Sequence, residues 1–293
     1  MKNVMLIINP KSGKGTIRNR LLDITDVFIK AEYDLTIYIS QHPGDARQKV
    51  QREAGNFDLI ICSGGDGTLD EVISGMIESG EMCEIGYIPS GSTNDFANSL
   101  HLPKDMIKAA ERIVEENVFP CDAGFFNDDY FVYIAAFGLF TDVSYETNQD
   151  VKNVLGHMAY LLEGMRKLAN IKSYRMKVKM DEVEVEGEFL FGMVTNSISV
   201  GGFKNITGKH VQLDDGLFEV TLIRKPKNVL ELNAILASLV TMTPDEKYML
   251  QRKVSRIEIV SEEMIPWTLD GEYGGEHRSV EIRNEKQVLK LLI

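Results

Sequence analysis

The sequence predicts an α/β protein with two domains: an N-terminal domain built on a parallel sheet, and a larger second domain that is mainly antiparallel β. In the first part, short apolar runs alternate with helical patterns up to about residue 118. After Pro120 the pattern changes to paired β runs joined by turns. We therefore predict domains at residues 1–120 and 121–286, with residues 287–293 returning to complete the first domain.

Four apolar runs are the strand candidates of the first domain: residues 4–8, 35–39, 57–62 and 84–88. Helical patterns fill the spaces around them, at residues 17–28, from residue 45 onward, at 68–78 and at 105–116. Strands that alternate with helices in this way are typical of a parallel sheet covered by helices.

The second domain contains two hairpin patterns. Residues 125–130 favour a short hairpin with its turn at residues 127–129. A longer one turns at Asp181-Glu182, and a two-residue turn there would place opposite charges across from each other: Lys179 and Glu184, Lys177 and Glu186, Arg175 and Glu188. Further β runs at 217–223, 256–260 and 280–282 make this domain largely antiparallel.

Two glycine-rich loops carry the strongest chemical signal. Residues 63–68 (SGGDGT) follow an apolar run and open a helix, and residues 90–95 (SGSTND) follow the next run with the same layout. Glycine lets the backbone approach a phosphate closely, helix N-termini favour anions, and aspartate can hold Mg²⁺ between phosphates. Because open α/β sheets bind nucleotides at the carboxyl ends of their strands, the two loops predict one nucleotide site.

A third loop, residues 9–15 (NPKSGKG), follows the first strand and offers polar side chains and backbone to phosphates. It is not a Walker A loop, because Gly15 follows Lys14 and Ile8 stands where the first glycine of that motif belongs. The structural alternative is a glycine-rich turn that caps the next helix.

These three loops resemble those of the diacylglycerol-kinase catalytic family of soluble bacterial lipid kinases. Residues 213–220 (LDDGLFEV) and 269–272 (LDGE) also look like motifs of that family and follow in family order, so the resemblance spans nearly the whole chain. The GGDGT element is shared with NAD kinases and resembles one in phosphofructokinases. Residues 91–97 (GSTNDFA) discriminate, because the chain has no second loop of the NAD-kinase kind.

The resemblance implies an enzyme that uses ATP as co-substrate and Mg²⁺ as cofactor, and that transfers the γ-phosphoryl group to a hydroxyl of diacylglycerol or a related membrane lipid. It implies that ATP is bound by Asn9, Ser12, Gly13, Lys14, Ser40, Gly64, Gly65, Asp66, Gly67, Thr68, Ser92, Thr93 and Asn94. Ser40 has an alternative as a simple turn hydroxyl.

By the same resemblance, Asp66 and Asp95 hold the metal that accompanies the nucleotide; each has an alternative as the cap of a helix. A structural magnesium site is implied at Asp215, beside the backbone carbonyls of Gln212 and Leu217. Oxygen ligands suit Mg²⁺. The alternative for Asp215 is an Asp-Asp-Gly turn that enters the following strand.

The resemblance makes Asp270 the first choice for the general base that takes the proton of the lipid hydroxyl, with Glu272 close behind. The other carboxylate would then bind metal through water or orient the base. The alternative is an ordinary Asp-Gly hairpin turn with no chemical role.

Two segments bear on how the lipid substrate is bound, and neither identifies the residues that contact it. Residues 197–202 (SISVGG) depart from a family pattern that tends to be more glycine-rich and basic, so the headgroup contacts are not assigned. Residues 151–168 carry an apolar stripe at helical spacing with basic neighbours. That stripe fits either a membrane-docking face or, more simply, a helix packed on a core.

Composition excludes several classes. The formal net charge of −12 argues against nucleic acid as a partner and against general adhesion to anionic membranes. Cys62, Cys83 and Cys121 lack metal-binding spacing and fit reduced thiols of a cytosolic protein. No signal peptide or membrane-spanning run is recognisable. We expect a cytoplasmic enzyme, peripheral to the inner face of the membrane, whose partner is a lipid; a homodimer is an open option.

Two rival functions remain from the sequence. An NAD-kinase-like phosphotransferase shares the GGDGT element but does not account for the loops at 9–15 and 91–97. A non-catalytic nucleotide-binding regulator would keep those loops without turnover, and the intact Asp270 and Glu272 speak against it.

Overall fold

The computed structural model describes residues 1–13, 15–138, 172–200, 203–204, 207, 210–241 and 245–293. The chain divides into two compact units. Unit 1 comprises Met1–Ala123, Leu213–Asp215 and Glu285–Ile293, and unit 2 comprises Gly124–Gln212 and Gly216–Asn284. The sequence placed this division at residue 120 and at residue 287, and it did not anticipate that residues 213–215 group with unit 1.

Unit 1 contains a parallel sheet, as predicted. Its strands are β1 (Lys2–Ile8), β2 (Tyr33–Ile39), β3 (Leu59–Gly64) and β4 (Glu84–Pro89), in the order β4-β3-β1-β2. All neighbouring pairs are parallel, and Val4 lies opposite Leu35 on one side and Leu59 on the other. This alignment brings the carboxyl ends of the strands to one edge of the sheet.

The helices of unit 1 are α1 (Leu21–Lys30), α2 (Asp45–Glu53), α3 (Asp66–Ser79), α4 (Asp95–Ser99) and α5 (Met106–Val114), with short 3-10 turns at Thr16–Asn19 and Ala54–Asn56. Apolar side chains of α1 and α5 pack with β1, β3 and β4 in one buried cluster that includes Phe28 and Ile113. Helices α2 and α3 pack on each other so closely that a methyl group on Gly75 would lie 2.4 Å from the carbonyl oxygen of Arg47.

The end of the chain completes the sheet of unit 1. The long strand β15 (Glu272–Leu292) places Leu291 opposite Ile85 and Leu292 opposite Gly86, parallel to β4. Both leucines are buried. The last apolar run of the chain thus lies in unit 1, beside β4.

Unit 2 is built mainly of antiparallel strands, as predicted. The remaining elements are β5 (Val118–Phe126), β6 (Asp129–Phe131), β7 (Ile134–Gly138), β8 (Tyr174–Met180), β9 (Val183–Thr195), β10 (Ser199–Val200), β11 (Phe203–Lys204), β12 (Phe218–Arg224), α6 (Val229–Thr241), β13 (Met249–Val254) and β14 (Arg256–Leu269). Strands β9 and β14 each pair with β8 along one half and with β7 along the other.

Both predicted hairpins are present. Strands β5 and β6 pair with Phe126 opposite Asp129. Strands β8 and β9 pair with the predicted register, which sets Lys179 opposite Glu184, Lys177 opposite Glu186 and Arg175 opposite Glu188. Alternation of charged and apolar residues therefore fixed this register, because a shift by one residue would turn every apolar side chain outward.

Aromatic rings form the centre of unit 2. The ring of Trp267 lies 4.8 Å from that of Phe137 and 5.0 Å from that of Phe126, between ring centroids. All three side chains are almost fully buried.

Within the part of the chain that the structure describes, no helix combines the length and the hydrophobicity needed to span a membrane. The predicted apolar stripe at 151–168 lies outside the described residues.

Replacing Phe137 by Ala should lower the free energy of unfolding by about 3–5 kcal/mol, because it removes a buried ring that packs on Trp267 and Tyr174. Val260→Ala, on the exposed face of β14, is the control and should change it by no more than about 0.5 kcal/mol. Denaturant titration measures both. Equal midpoints for the two variants would show that Phe137 is not part of a cooperative core.

Candidate active site

Three loops of unit 1 meet at the carboxyl edge of its sheet. The amide of Asn9 donates to the carbonyl of Ser63 (2.9 Å), and the amide of Ser90 donates to the carbonyl of Gly64 (2.8 Å). The side-chain amide of Asn9 also donates to the hydroxyl of Thr68 at 2.9 Å. The loops that follow β1, β3 and β4 are therefore bonded to one another, with the loop after β3 in the middle.

Glycines permit the close contact between these loops. A methyl group on Gly91 would lie 2.7 Å from the Cα of Gly65 and 2.6 Å from the Oδ1 atom of Asn94. Gly13 has φ +55°, and a methyl group there would lie 2.4 Å from the carbonyl oxygen of Ser90. Such distances exclude any side chain without a shift of backbone. Gly13 in the first loop and Gly91 in the third are thus required by the packing of the loops themselves.

Asp66 joins the second and third loops. Its Oδ2 atom accepts a hydrogen bond from the amide of Asp95 (2.9 Å), and its Oδ1 atom accepts one from the amide of Phe96 (3.3 Å). Neither Asp66 nor Asp95 is the N-cap of its helix: Gly65 is the N-cap of α3 and Asn94 that of α4, and neither helix has a capping hydrogen bond from the side chain of its N-cap. The alternative that these acids are helix caps is therefore wrong, and Asp66 instead binds the start of the neighbouring helix.

Burial raises the pKa of Asp66 to about 6, and the negative charge of Asp95 contributes in the same direction, while the hydrogen bonds from the amides of Asp95 and Phe96 oppose the rise. Asp95 itself is almost fully buried. The charges of Asp66 and Asp95 thus repel each other, and Asp66 keeps its proton to an unusually high pH. A bound cation would stabilise the ionised form of both carboxylates. The oxygen donors fit Mg²⁺, which is commonly bound by one or two carboxylates together with substrate phosphates.

Asn94 forms the turn of the third loop. Its Oδ1 atom accepts from the amide of Gly91 (2.9 Å), and its side-chain amide donates to the carbonyl of Gly91 (2.9 Å). Its φ of +52° is left-handed, a conformation that asparagine tolerates better than most residues. Ser92 and Thr93, held in this turn, are exposed. Both remain candidates for phosphate or ribose contacts.

The other predicted nucleotide ligands are placed as follows. Ser12 is buried, and its amide donates to the carbonyl of Asn9. Ser40 donates both its amide and its hydroxyl to the carbonyl of Ile8, which is the turn role that the sequence left open. Lys14 lies outside the described residues.

Two residues of this region escaped the sequence analysis. The carboxylate of Glu71 accepts from the amides of Gly44 (2.8 Å) and Ala46 (3.1 Å), so the N-terminus of α2 is occupied by a side chain from α3. The hydroxyl of Tyr87 lies 3.4 Å from both the carbonyl of Gly64 and Oδ1 of Asn94. The contacts of Glu71 with residues 44 and 46 and of Tyr87 with Gly64 join residues more than 20 positions apart, so no local sequence pattern indicates them.

Asp270 of unit 2 is held by the backbone at the start of β7. Its Oδ1 atom accepts from the amides of Tyr133 (3.0 Å) and Ile134 (2.9 Å), and its Oδ2 atom accepts from the amide of Val132 (2.6 Å). In return, the amide of Asp270 donates to the carbonyl of Ile134 at 2.8 Å. The side chain is 4% exposed.

Asp270 and Gly271 form the turn between β14 and β15. Their φ angles of +51° and +89° match a type I′ hairpin turn, and Leu269 pairs with Glu272 across it. Glu272 is exposed at the start of β15. The hairpin turn that the sequence offered as an alternative is therefore present, and it brings the two carboxylates into quite different surroundings.

The segment 213–215 is attached to unit 1. The carbonyl of Leu213 accepts from the amide of Asp122 (2.8 Å), and that of Asp214 accepts from the side chain of Gln287 (3.0 Å). Buried Asp122, which the sequence did not single out, accepts from the amide of Gln287 at 2.7 Å. Asp215 belongs to unit 1, whereas the predicted ligands Gln212 and Leu217 belong to unit 2, so this ligand set stays a prediction.

Among the described residues, no three His, Cys, Asp or Glu side chains are grouped to hold a metal ion.

Comparison with known proteins agrees with this arrangement. Residues 3–126 match the diacylglycerol kinase catalytic domain, and residues 135–293 match the YegS C-terminal NAD kinase beta sandwich-like domain. A diacylglycerol kinase of Staphylococcus carnosus is 34% identical over 94% of this chain and 90% of that protein. A diacylglycerol kinase of Bacillus subtilis is 32% identical over 94% of this chain and 91% of its own length.

The chain belongs to the diacylglycerol kinase family. A crystal structure of a proposed diacylglycerol kinase from Bacillus anthracis str. Sterne superposes with a TM-score of 0.85 at 28% identity, over 99% of this chain and 95% of that one. The resemblance inferred from the motifs is confirmed, and membership of the family supports a lipid kinase, with ATP implied as co-substrate.

Asp66 should make unfolding depend on pH in a characteristic direction. Because its pKa is about 6 in the folded chain and 3.8 in the unfolded one, its contribution to stability is complete below pH 3.8 and is lost as pH rises through 6. In chelator-containing buffer, wild type should lose up to about 3 kcal/mol relative to Asp66→Asn between pH 4 and pH 7. Denaturant titrations of both proteins across this range measure the difference; parallel curves would contradict the assigned pKa.

Gly91→Ala should abolish most nucleotide binding, because the added methyl group would force apart the second and third loops. Gly80→Ala is the control: nothing lies within 4 Å of the added methyl group, although the left-handed φ of +71° at Gly80 should cost that variant about 1 kcal/mol of stability. Calorimetric titration with ATP should detect binding by Gly80→Ala alone, and equal affinities would show that the glycine contact is not needed.

Proposed function

We propose that this protein is a lipid kinase that depends on ATP and Mg²⁺ and phosphorylates a hydroxyl of diacylglycerol or a related membrane lipid. The observation that carries the proposal is the junction of three glycine-rich loops at the carboxyl edge of the unit 1 sheet, with the Asp66 carboxylate between two of them. Backbone at such an edge binds phosphates well, because helix N-termini favour anions and glycine permits close approach.

In the proposed mechanism, the loops of unit 1 bind and orient the donor. The start of α3 faces the phosphates, since Gly65 at its N-cap leaves the helix end without a covering side chain. Asn9 fixes the hydroxyl of Thr68, and Asn94 fixes the turn that presents Ser92 and Thr93. Asp66 and Asp95 would hold the metal, which supplies charge neutralisation for the transferred phosphoryl group.

The acceptor side requires a base for the hydroxyl proton. The LDGE segment of unit 2 provides two carboxylates for that role and for its support, Asp270 and Glu272. The match of the chain to diacylglycerol kinases over 94% of its length supports a lipid as the acceptor. We further propose that the enzyme acts at the inner face of the membrane, where such a lipid is found.

Transfer from radiolabelled ATP tests the proposal. Diacylglycerol, phosphatidylglycerol, ceramide and an undecaprenyl-type alcohol are offered in mixed micelles, and NAD is offered in solution, each with and without Mg²⁺. We expect label in the lipid fraction with diacylglycerol or one of its relatives, and none in NAD. Label in NAD above that in every lipid would instead support the NAD-kinase-like rival, and ATP binding without any transfer would support a regulator.

Asp66→Asn should reduce kcat by a factor of at least about 10², because the amide cannot hold a metal as the carboxylate does. The variant loses one of the two backbone hydrogen bonds from residues 95 and 96 but also loses a buried carboxylate whose pKa is raised to about 6, so the melting temperature at pH 7.5 should not fall below that of wild type. Initial rates over a Mg²⁺ series and thermal melting are measured on the same preparation. Wild-type kcat at saturating Mg²⁺ would remove Asp66 from the site.

A further inference from the structure

The loop that follows β2, residues 40–44, belongs to the same edge of the unit 1 sheet as the three glycine-rich loops, because β2 runs parallel to β1. The strand order β4-β3-β1-β2 places this loop at the end of the row. Neighbouring strands are about 4.8 Å apart, so the end of β2 is about 10 Å from the end of β3. A nucleotide whose phosphates bind the loops after β3 and β4 can therefore extend its nucleoside along the edge to residues 40–44.

Glu71, a half-buried residue of α3, holds the end of this loop. Its Oε1 atom accepts from the amide of Gly44 (2.8 Å), and its Oε2 atom accepts from the amide of Ala46 (3.1 Å). Gly44 is the N-cap of α2 and has no side chain to cap the helix. The first amides of a helix lack partners within the helix and favour an anion. The carboxylate of Glu71 is that anion for α2.

A second carboxylate closes the loop from within. The Oδ2 atom of Asp45 accepts from the amide of Gln41 (2.7 Å), and its Oδ1 atom accepts from the hydroxyl of Tyr38 (2.7 Å). These two hydrogen bonds lower the pKa of Asp45, which is therefore ionised at neutral pH. At the start of the loop, the amide of Ser40 donates to the carbonyl of Ile8 at 2.9 Å. Hydrogen bonds thus fix the loop at both of its ends.

Helices α2 and α3 begin at the same edge but offer a ligand different surroundings. Gly65 leaves the first amides of α3 without a covering side chain, and such a helix end favours phosphate. At the start of α2, Glu71 already accepts two amides, and Asp45 adds a second negative charge. Because like charges repel, residues 40–44 are a poor place for a phosphate and a better one for an uncharged nucleoside.

We infer that Glu71 is a positioning residue for the donor nucleotide: it fixes the loop after β2 to α3, so that this loop contacts the nucleoside and not the phosphates. The inference rests on the nucleotide site of the proposed function. Helix α3 joins the two halves of the site, because it begins in the loop after β3 and carries Glu71 on its second turn. Removal of the Glu71 carboxylate should therefore weaken binding of the nucleoside half and leave the phosphate half as it is.

The experiment compares Glu71→Gln with Glu78→Gln. Glu78 lies seven residues later on α3 and also binds α2, through the guanidinium group of Arg47. Both variants make the same chemical change between the same two helices, but only the contacts of Glu71 reach the loop after β2. Glutamine has one acceptor oxygen in place of two, so Glu71→Gln loses one of the two amide hydrogen bonds.

Calorimetric titration measures the affinity for Mg·ATP and for Mg·tripolyphosphate, which has the phosphates without the nucleoside. Glu71→Gln should bind ATP about tenfold more weakly, as expected for one lost hydrogen bond to a charged group, and should bind tripolyphosphate as wild type does. In lipid assays its KM for ATP should rise by a similar factor at unchanged kcat. Glu78→Gln should match wild type throughout. Equal loss of ATP affinity in both variants, or equal loss of ATP and tripolyphosphate affinity in Glu71→Gln, would overturn the inference.

Amide hydrogen exchange of residues 41–46 provides the second measurement. In wild type, ATP should slow exchange in this loop and tripolyphosphate should not. In Glu71→Gln, exchange at residues 44 and 46 should accelerate, and ATP should protect the loop less. Absence of protection by ATP in wild type would overturn the inference whatever the acceptor is. Binding and protection by ATP without transfer to any lipid would instead overturn the proposed function and support the role of Glu71.

If Glu71→Gln does not fold, Tyr38→Phe loosens the same loop from its other side, since it removes the hydroxyl that donates to Asp45. This variant should lower the affinity for ATP by less than tenfold and leave that for tripolyphosphate unchanged. Wild-type affinity for ATP in Tyr38→Phe, or a parallel loss of tripolyphosphate binding, would contradict the inference.

Discussion

The hydrogen bonds that Asp66 accepts are the constraint on which the donor site depends. A carboxylate is buried at the start of α3 although burial opposes its ionisation, and it is retained there by amides of the next loop. Those bonds join the loop after β4 to the loop after β3, together with the hydrogen bond from the amide of Ser90 to the carbonyl of Gly64 and the contact of two glycines. In the proposed kinase, one side chain would thus meet two needs, the closure of the site and the negative charge that a cation requires.

The sequence offered Asp66 and Asp270 either a structural role or a chemical one, although the two roles do not exclude each other. The structural roles are real, but they differ from those that local sequence rules offer. Asp66 binds amides 29 and 30 residues away rather than those of its own helix, and Asp270 binds amides 136–138 residues away. A capping rule considers the next three residues only, so it cannot find such partners.

The sequence predicted what short-range patterns encode. Alternation of apolar and charged residues predicted the β8–β9 register, glycine-rich loops after apolar runs predicted the edge of the sheet that carries them, and the Asp-Gly pair offered, as an alternative, the hairpin turn that is present. It did not predict the contact of Glu71 with α2, the buried Asp122, or the attachment of residues 213–215 to unit 1. Those features are set by packing between distant segments, and their residue types are unremarkable in local sequence.

The return of the chain to β4 has a consequence for biosynthesis. Unit 1 has residues 1–123 early in the chain, but its sheet acquires Leu291 and Leu292 only after the whole of unit 2 has been made. Ribosomes add about 5–20 residues per second, so the synthesis of the roughly 160 intervening residues leaves one edge of β4 unpaired for about 10–30 s. An unpaired strand margin invites association with other nascent chains. The nascent chain is thus most prone to association before its final segment is synthesised. A chain that is truncated before residue 291 lacks the strand that pairs with β4.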